Sequence, residues 1–238
     1  MCDAMENYSV KPIARIYTDF SDKFGIPRQA GVVQELEGRI VFEPEYRNED
    51  ALRGIEDFSH LWLIWQFSEA VREDWSPTVR PPRLGGNVRM GVFATRSPFR
   101  PNALGLSCVR LLAVEKSSGE GTVLKVAGAD ILSGTPIYDI KPYIKYADSR
   151  PEAVCGYVDQ LEERSLKVVF PSELSERISD TSVIPALIET LRLDPRPSYH
   201  DDPSRIYGLS FAGYNVKFHV TDKVMTVIDV QPLQHSSI

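Results

Sequence analysis

With 238 residues, 42% of them apolar and 25% charged, the chain is long enough to bury a substantial core and has the balance of an ordinary soluble globular protein of one large or two ordinary domains. Its formal net charge of −6 sets an acidic background against which any positive segment stands out. Three cysteines (Cys2, Cys108 and Cys155), odd in number and scattered, exclude a disulfide framework and a cysteine-based zinc site and indicate a reducing compartment. The opening MCDAMENYSV has acids at Asp3 and Glu6 and no apolar h-region, and the longest apolar run, Leu61 to Trp65, is far too short to span a bilayer. The sequence therefore reads as cytoplasmic.

In chain order, Tyr8 to Thr18 is rich in β-branched and aromatic residues and predicts a strand, followed by the loop DKFGIPRQAG with Arg28-Gln29 at its tip. Val32 to Leu36 and Arg39 to Phe42 flank Glu37-Gly38 in the manner of a hairpin. Asn48 to Ile55 predicts a short helical turn with Glu49 and Asp50 near its start. The nearly continuous apolar run HLWLIWQF, His60 to Phe67, predicts a strand buried on both faces. Strands are also expected at Met90 to Ala94, Leu104 to Val114 and Thr122 to Val126, and Ala129 to Ser149 reads as turn-rich. Short strands with Gly- and Pro-rich connections and no helical period between them favour a mainly β fold, an N-terminal β-barrel over residues 8–149. Residues 150–165 turn polar and read as a linker. Beyond them, Leu166 to Phe170 predicts a strand, and Ser172 to Leu193 shows helical spacing with Pro185 starting a second helix. Three further strands follow, with turns at Ala212-Gly213 and Thr221-Asp222, so residues 166–238 form a small α+β domain.

The segment from Trp75 to Val114 carries Arg80, Arg83, Arg89, Arg96, Arg100 and Arg110 and no Asp, Glu or Lys. Arginine's planar fork suits carboxylates and phosphates and can lie flat on a base. Six in an acid-free run broken by proline and glycine point to an anion or nucleic-acid site, the alternative being a solvated basic surface.

Other chemistries fail on spacing. His60, His200, His219 and His235 lie far apart with no metal-ligand pattern, no G-x-S-x-G elbow is present, and no P-loop or G-x-G-x-x-G follows a strand. Cys108 lies in an apolar strand and reads as core. What remains is a set of rigid polar loops at strand ends: Arg28-Gln29, Arg96-Ser97, Arg100 to Asn102 and Asp130 to Thr135. Arg mixed with Asp, Ser and Thr suits a zwitterionic ligand that also carries ribose hydroxyls, the alternative for Asp130 and Ser133 being structural turn chemistry.

RPPRLGGNVRMGVFATRSPFRPNALGLS, with SGTPIYDIKPY, PRQAG and DPRPSY, resembles the TsaA-like (YaeB/TrmO) family of tRNA N6-methyltransferases from about Tyr8 to the last strand. The resemblance implies a non-Rossmann β-barrel that binds S-adenosylmethionine, a small C-terminal domain that helps hold tRNA, and a homodimer without a metal. The implied reaction is methylation of N6 of threonylcarbamoyladenosine beside the anticodon. Carried over by position, the cofactor pocket falls on Ala30, Gly31, Val32, Arg96, Leu106, Asp130, Ile131, Leu132 and Ser133, joined by Ser68 and Glu69. Charge and motif position select Arg80, Arg83, Arg100 and Arg196 for tRNA contact, with Phe99 and Tyr199 as candidate stacking surfaces, the alternative for each being a core aromatic.

Relatives often have Pro at Ala30 and Ala103 and an acid at Ser133. Losing the prolines loosens loops at a cost below ~1 kcal/mol, whereas a hydroxyl at Ser133 removes a charged acceptor. The expected mechanism is in-line methyl transfer in which the protein positions the acceptor nitrogen. Arg83, Arg96 and Arg100 are candidates for holding the substrate's threonyl carboxylate. Asp139 and Tyr138 are candidate proton acceptors, the alternative being that they anchor the DIKPY turn. Two rival readings are a non-catalytic RNA-binding barrel and a hydrolase or isomerase acting on a small anionic metabolite.

Overall fold

A computed structural model describes residues 8–72, 74–161, 165–196 and 202–233. Tyr199, His200 and His235 lie outside the described residues. Twelve strands are present among them: β1 (Ala14–Thr18), β2 (Glu37–Phe42), β3 (His60–Gln66), β4 (Thr78–Val79), β5 (Met90–Gly91), β6 (Leu104–Ser117), β7 (Gly121–Ala127), β8 (Thr135–Pro142), β9 (Lys167–Val169), β10 (Tyr207–Phe211), β11 (Tyr214–Thr221) and β12 (Val224–Pro232). The helices are short: α1 (Lys145–Asp148), α2 (Ser172–Ser175) and α3 (Ile184–Arg192).

Six strands close into a barrel in the order β1-β2-β7-β6-β3-β8, and all its pairings are antiparallel. Closure leaves no edge strand exposed. The interior is filled by alternate residues, including Ala14, Ile16, Ile40, Leu61, Leu63, Trp65, Val109, Leu124 and Ile137. β3 corrects one expectation. Its residues alternate, with Leu61, Leu63 and Trp65 inside and Trp62, Ile64 and Gln66 half-buried outside, so it is covered fully on one face only. Its apolar outer residues had hidden the period.

The predicted hairpin about Glu37-Gly38 does not form. β2 runs unbroken through Gly38, which pairs with Thr18 and Val126, and the side chains of Ile16 and Thr18 lie within 3.4 Å of where its Cβ would be. β8 forms where only turns were expected, because Pro136 and Pro142 disguise it. It carries a bulge at Tyr138 and closes the barrel between β1 and β3. Met90 to Ala94 is a two-residue strand followed by a 3-10 turn.

Pairing register places three long connections on one rim. Thr18 lies opposite Gly38, Glu37 opposite Ala127, Ile16 opposite Thr135, and Gln66 opposite Leu104. Loops 19–36, 67–103 and 128–134 therefore leave the barrel from the same end.

The second core belongs to a four-stranded sheet, β10-β11-β12-β9, covered by α2 and α3. Pro185 stands in the first turn of α3, as its sequence position predicts. The hairpin turns fall at Ala212-Gly213 and Asp222-Lys223, each with positive φ at both central residues, the second one residue later than expected. Phe20, Val33 and Leu36 of loop 19–36 also belong to this second core, with Phe24 and Ile26 packed against it.

At the junction, Asp19 is half-buried and its carboxyl is raised to about 6, first by burial and then by the charges of Asp180 and Glu37. A carboxyl raised in the folded state adds stability below its ordinary value of 3.8, and that stability is lost as pH rises through about 6. Asp19→Asn is therefore expected to raise Tm relative to the parent at pH 7–8 and to lose that advantage at pH 4 and below. Thermal melts across that range check it.

Candidate functional site

Asp130, in the connection 128–134, is the most deeply placed charge at the rim. Ser107 Oγ donates to its Oδ1 at 2.6 Å, and Trp65 Nε1 donates to Ser107 Oγ at 3.0 Å. The Trp65 ring is seated against Gly105, where any Cβ would lie 2.3 Å from a ring carbon. Burial pushes the Asp130 carboxyl above its usual range, opposed by hydrogen bonds from Ser107 and from the backbone N–H groups of Asp130 and Ala30, and by the nearby Arg96 charge. A chain of donors beginning in the barrel interior thus aims one carboxylate at loop 28–32.

That loop is gripped by backbone. Gly31 N donates to Gly128 O at 2.9 Å, and Gly128 N donates to Leu36 O at 2.7 Å. Gly128 has φ +79, and a Cβ on it would lie 3.2 Å from Gly31 Cα, so the close approach of the two segments relies on the missing side chain of Gly128. Arg96 donates to Gln29 Oε1, tying the arginine-rich connection to the same loop, and Lys23 reaches Glu69 at 3.9 Å across the rim. Beside the grip lies a shallow groove of about 90 Å³ lined by Gly31, Gln34, His60, Cys108, Arg110, Ala127 and Gly128. Leu106, 59% exposed, stands on the same outer wall of β6.

The residues singled out in the sequence divide by placement. Ala30, Gly31, Val32, Arg96 and Asp130 are brought together around the glycine grip. Ser68 and Glu69 are exposed at the start of the connection 67–103. Ile131 points into the barrel core at 0% exposure, and its carbonyl accepts from Thr18 Oγ1 at 2.8 Å. Ser133 Oγ accepts from Thr18 N at 3.2 Å and Ser133 N donates to Phe20 O, so this serine fastens the end of β1. Leu132 is half-buried between them. Tyr138 donates to Gln66 Oε1 from the β8 bulge. Asp139 has both oxygens engaged, by Ile140 N at 2.9 Å and Lys141 Nζ at 2.7 Å.

The arginines are also unequal. Arg80, Arg83 and Arg89 are exposed on the long connection. Arg100 spends Nη1 on the carbonyls of Thr95 and Val92, bracing the 3-10 turn Val92–Ala94. Arg196 is 11% exposed and held by both oxygens of Asp194 at 2.7 and 2.9 Å. This paired fork helps shape its own loop. Phe99 is exposed at 40%, with the Arg72 guanidinium 3.9 Å over its ring, which removes the core alternative for it. Cys108 faces the groove half-buried, and burial with the Asp148 charge pushes its thiol up, away from a reactive thiolate. Trp65, Ser107, Gly128 and Gln34 were not singled out in the sequence. Only the GLS and AGAD spellings next to recognised motifs mark two of them.

A family model described as the tRNA-methyltransferase O N-terminal domain matches residues 15–149, and the TrmO C-terminal domain matches residues 163–233. The chain belongs to this family. It is 38% identical over 235 residues to the Escherichia coli protein named tRNA (adenine(37)-N6)-methyltransferase, covering 96% of this chain and 100% of that one. It is 36% identical over 233 residues to a Pseudomonas aeruginosa protein named a putative S-adenosylmethionine-dependent methyltransferase, covering 94% and 97%. The crystal structure of TrmO from Pseudomonas aeruginosa superposes with a TM-score of 0.77 at 32% identity, covering 97% of this chain and 99% of that one.

Gly128→Ala should lower stability by roughly 1–2 kcal/mol from its left-handed backbone alone and also part loop 28–32 from the rim. Urea unfolding with an unchanged m-value measures the first effect. Faster hydrogen exchange at the Gly31 amide measures the second.

Proposed function

We propose that this protein is a tRNA (adenine(37)-N6)-methyltransferase that transfers the methyl group of S-adenosylmethionine to N6 of threonylcarbamoyladenosine beside the anticodon, acting in the cytoplasm as a homodimer. Residues 8–149 form its donor-binding barrel, 150–165 a linker and 166–238 the small domain. Family membership supports the reaction class. The observation that carries the reading is the half-buried, partly desolvated Asp130 carboxylate aimed at a glycine-gripped loop, beside a connection rich in exposed arginine.

The residues fit the donor. Asp130 offers a desolvated acceptor for ribose hydroxyls or an ammonium group. The Gly31–Gly128 contact leaves bare backbone that a ligand can approach, and exposed Leu106 with the groove beside it offers apolar surface. Ala30, Val32, Ser68, Glu69, Arg96 and Leu132 line the same rim. Ile131 and Ser133 contribute by fixing the loop through their backbone and hydroxyl contacts. When bound, S-adenosylmethionine supplies an activated sulfonium methyl, which leaves the protein to position the acceptor and exclude competing geometries. Arg83, Arg96 and Arg100 are our candidates to hold the threonyl carboxylate, a contact that would select the modified base. The engaged oxygens of Asp139 and the donated hydroxyl of Tyr138 leave acceptor positioning, not a dedicated base, as the main task of this wall.

Arg80, Arg83 and Arg89 are the tRNA surface, joined by Phe99 and its stacked Arg72 for an unstacked base. Exposed Leu104 is our candidate contact for the dimer.

Nucleoside mass spectrometry of tRNA from cells lacking this protein is expected to show loss of the N6-methyl derivative and accumulation of its unmethylated precursor, both reversed by the wild-type chain. An unchanged nucleoside profile sinks the reading. Arg80→Ala combined with Arg89→Ala should raise the KM for tRNA several-fold and reduce the salt dependence of RNA binding by about 0.7–0.9 in log-log slope per lost phosphate contact. The S-adenosylmethionine Kd should be unchanged, as titration calorimetry would record.

A further inference from the structure

We propose that the C-terminal domain is the back wall of the donor site: Phe20, Val33 and Leu36 are positioning residues that lock loop 28–32, and Leu209 and Phe211 are their seat. The proposal rests on the reading that loop 28–32 holds the methyl donor.

Both flanks of that loop are anchored outside the barrel. Phe20 is 0% exposed and Val33 and Leu36 are 2% exposed, and all three belong to the core of the C-terminal sheet, not to that of the barrel from which the loop springs. Phe20 meets Phe211 edge-on, with ring centroids 5.3 Å apart. Gly25, with φ +90, lies so close over Leu209 that a Cβ there would sit 2.2 Å from Leu209 Cδ1. The tip of the β10–β11 hairpin adds a backbone bond, Ala212 N to Asp19 O at 2.8 Å.

The anchoring reaches the second donor-side loop as well. Ser133 N donates to Phe20 O at 2.9 Å, so the residue buried in the C-terminal core also holds the connection that carries Asp130. Between buried Pro27 and buried Val33, the intervening residues are half-buried or exposed. A short exposed stretch pinned at both ends has few conformations left, so little entropy remains to be lost when it closes on a ligand. Released from its seat, the same polar stretch has no core of its own to order it. The C-terminal domain is thus needed for donor binding even without RNA, a task separate from any grip on tRNA.

The test uses the full chain with S-adenosylmethionine alone and with tRNA alone. Leu209→Ala and Phe211→Leu alter the seat, and Gly25→Ala alters the loop side while leaving the small domain's own sequence intact. In variants that circular dichroism shows folded, each should raise the donor Kd about tenfold, a factor of ten per 1.4 kcal/mol, while tRNA Kd stays within about twofold. An unchanged donor Kd, or equal weakening of both ligands, overturns the proposal. If Leu209→Ala does not fold, Leu209→Val replaces it. Hydrogen exchange separates this idea from the donor assignment: Leu209→Ala should speed exchange at Gly31 and Gly128 without changing β6 or β7. If wild type fails to bind S-adenosylmethionine, the donor reading fails and that exchange pattern still decides whether the seat orders the loop.

Discussion

A loop of glycine, proline and charged residues cannot hold its own shape in water, and loop 19–36 is held by the burial of three apolar side chains in a core that is not its own. Phe20, Val33 and Leu36 each contribute about 2 kcal/mol by leaving water, enough together to offset the ordering of about four residues of the loop. Their seat fixes where Ala30 and Gly31 stand. Gly31 then accepts the close approach of Gly128, and Gly128 leads directly to Asp130. If that burial failed, the barrel would still close, since no residue of loop 19–36 belongs to its core.

Asp130 shows the other side of the same constraint. A buried carboxylate costs free energy unless it is hydrogen-bonded, and here the bonds come from Ser107, from its own backbone and from Ala30. Trp65 and Ser107 spend interior positions of the barrel on orienting that one charge. Burial raises its carboxyl, so the charged form is held at a cost to stability. The arginines follow a division of labour that their spacing does not reveal. Arg100 and Arg196 are consumed by carbonyls and by Asp194, whereas Arg80 and Arg89 form no ion pair among the described residues. The sign of a patch is readable from composition; which members of it are available depends on what each fork meets.

The sequence by itself determined the barrel class, most strand positions, the start of α3 at Pro185, and the gathering of polar loops at strand ends, because each follows from local period, turn residues and short apolar runs. The specific motifs around Arg96 and Asp130 carried the family and its chemistry. Where the reading failed, the local signal was ambiguous: apolar outer residues masked the alternation of β3, prolines disguised β8, and Val33 and Leu36 imitated a hairpin arm while serving another core. Only the tertiary structure decided that Ser107 and Trp65 orient Asp130, that Arg196 is paired with Asp194 of its own loop, and that the small domain underlies loop 28–32. Those outcomes join residues far apart in the chain, and no short window of sequence records a contact closed across that distance.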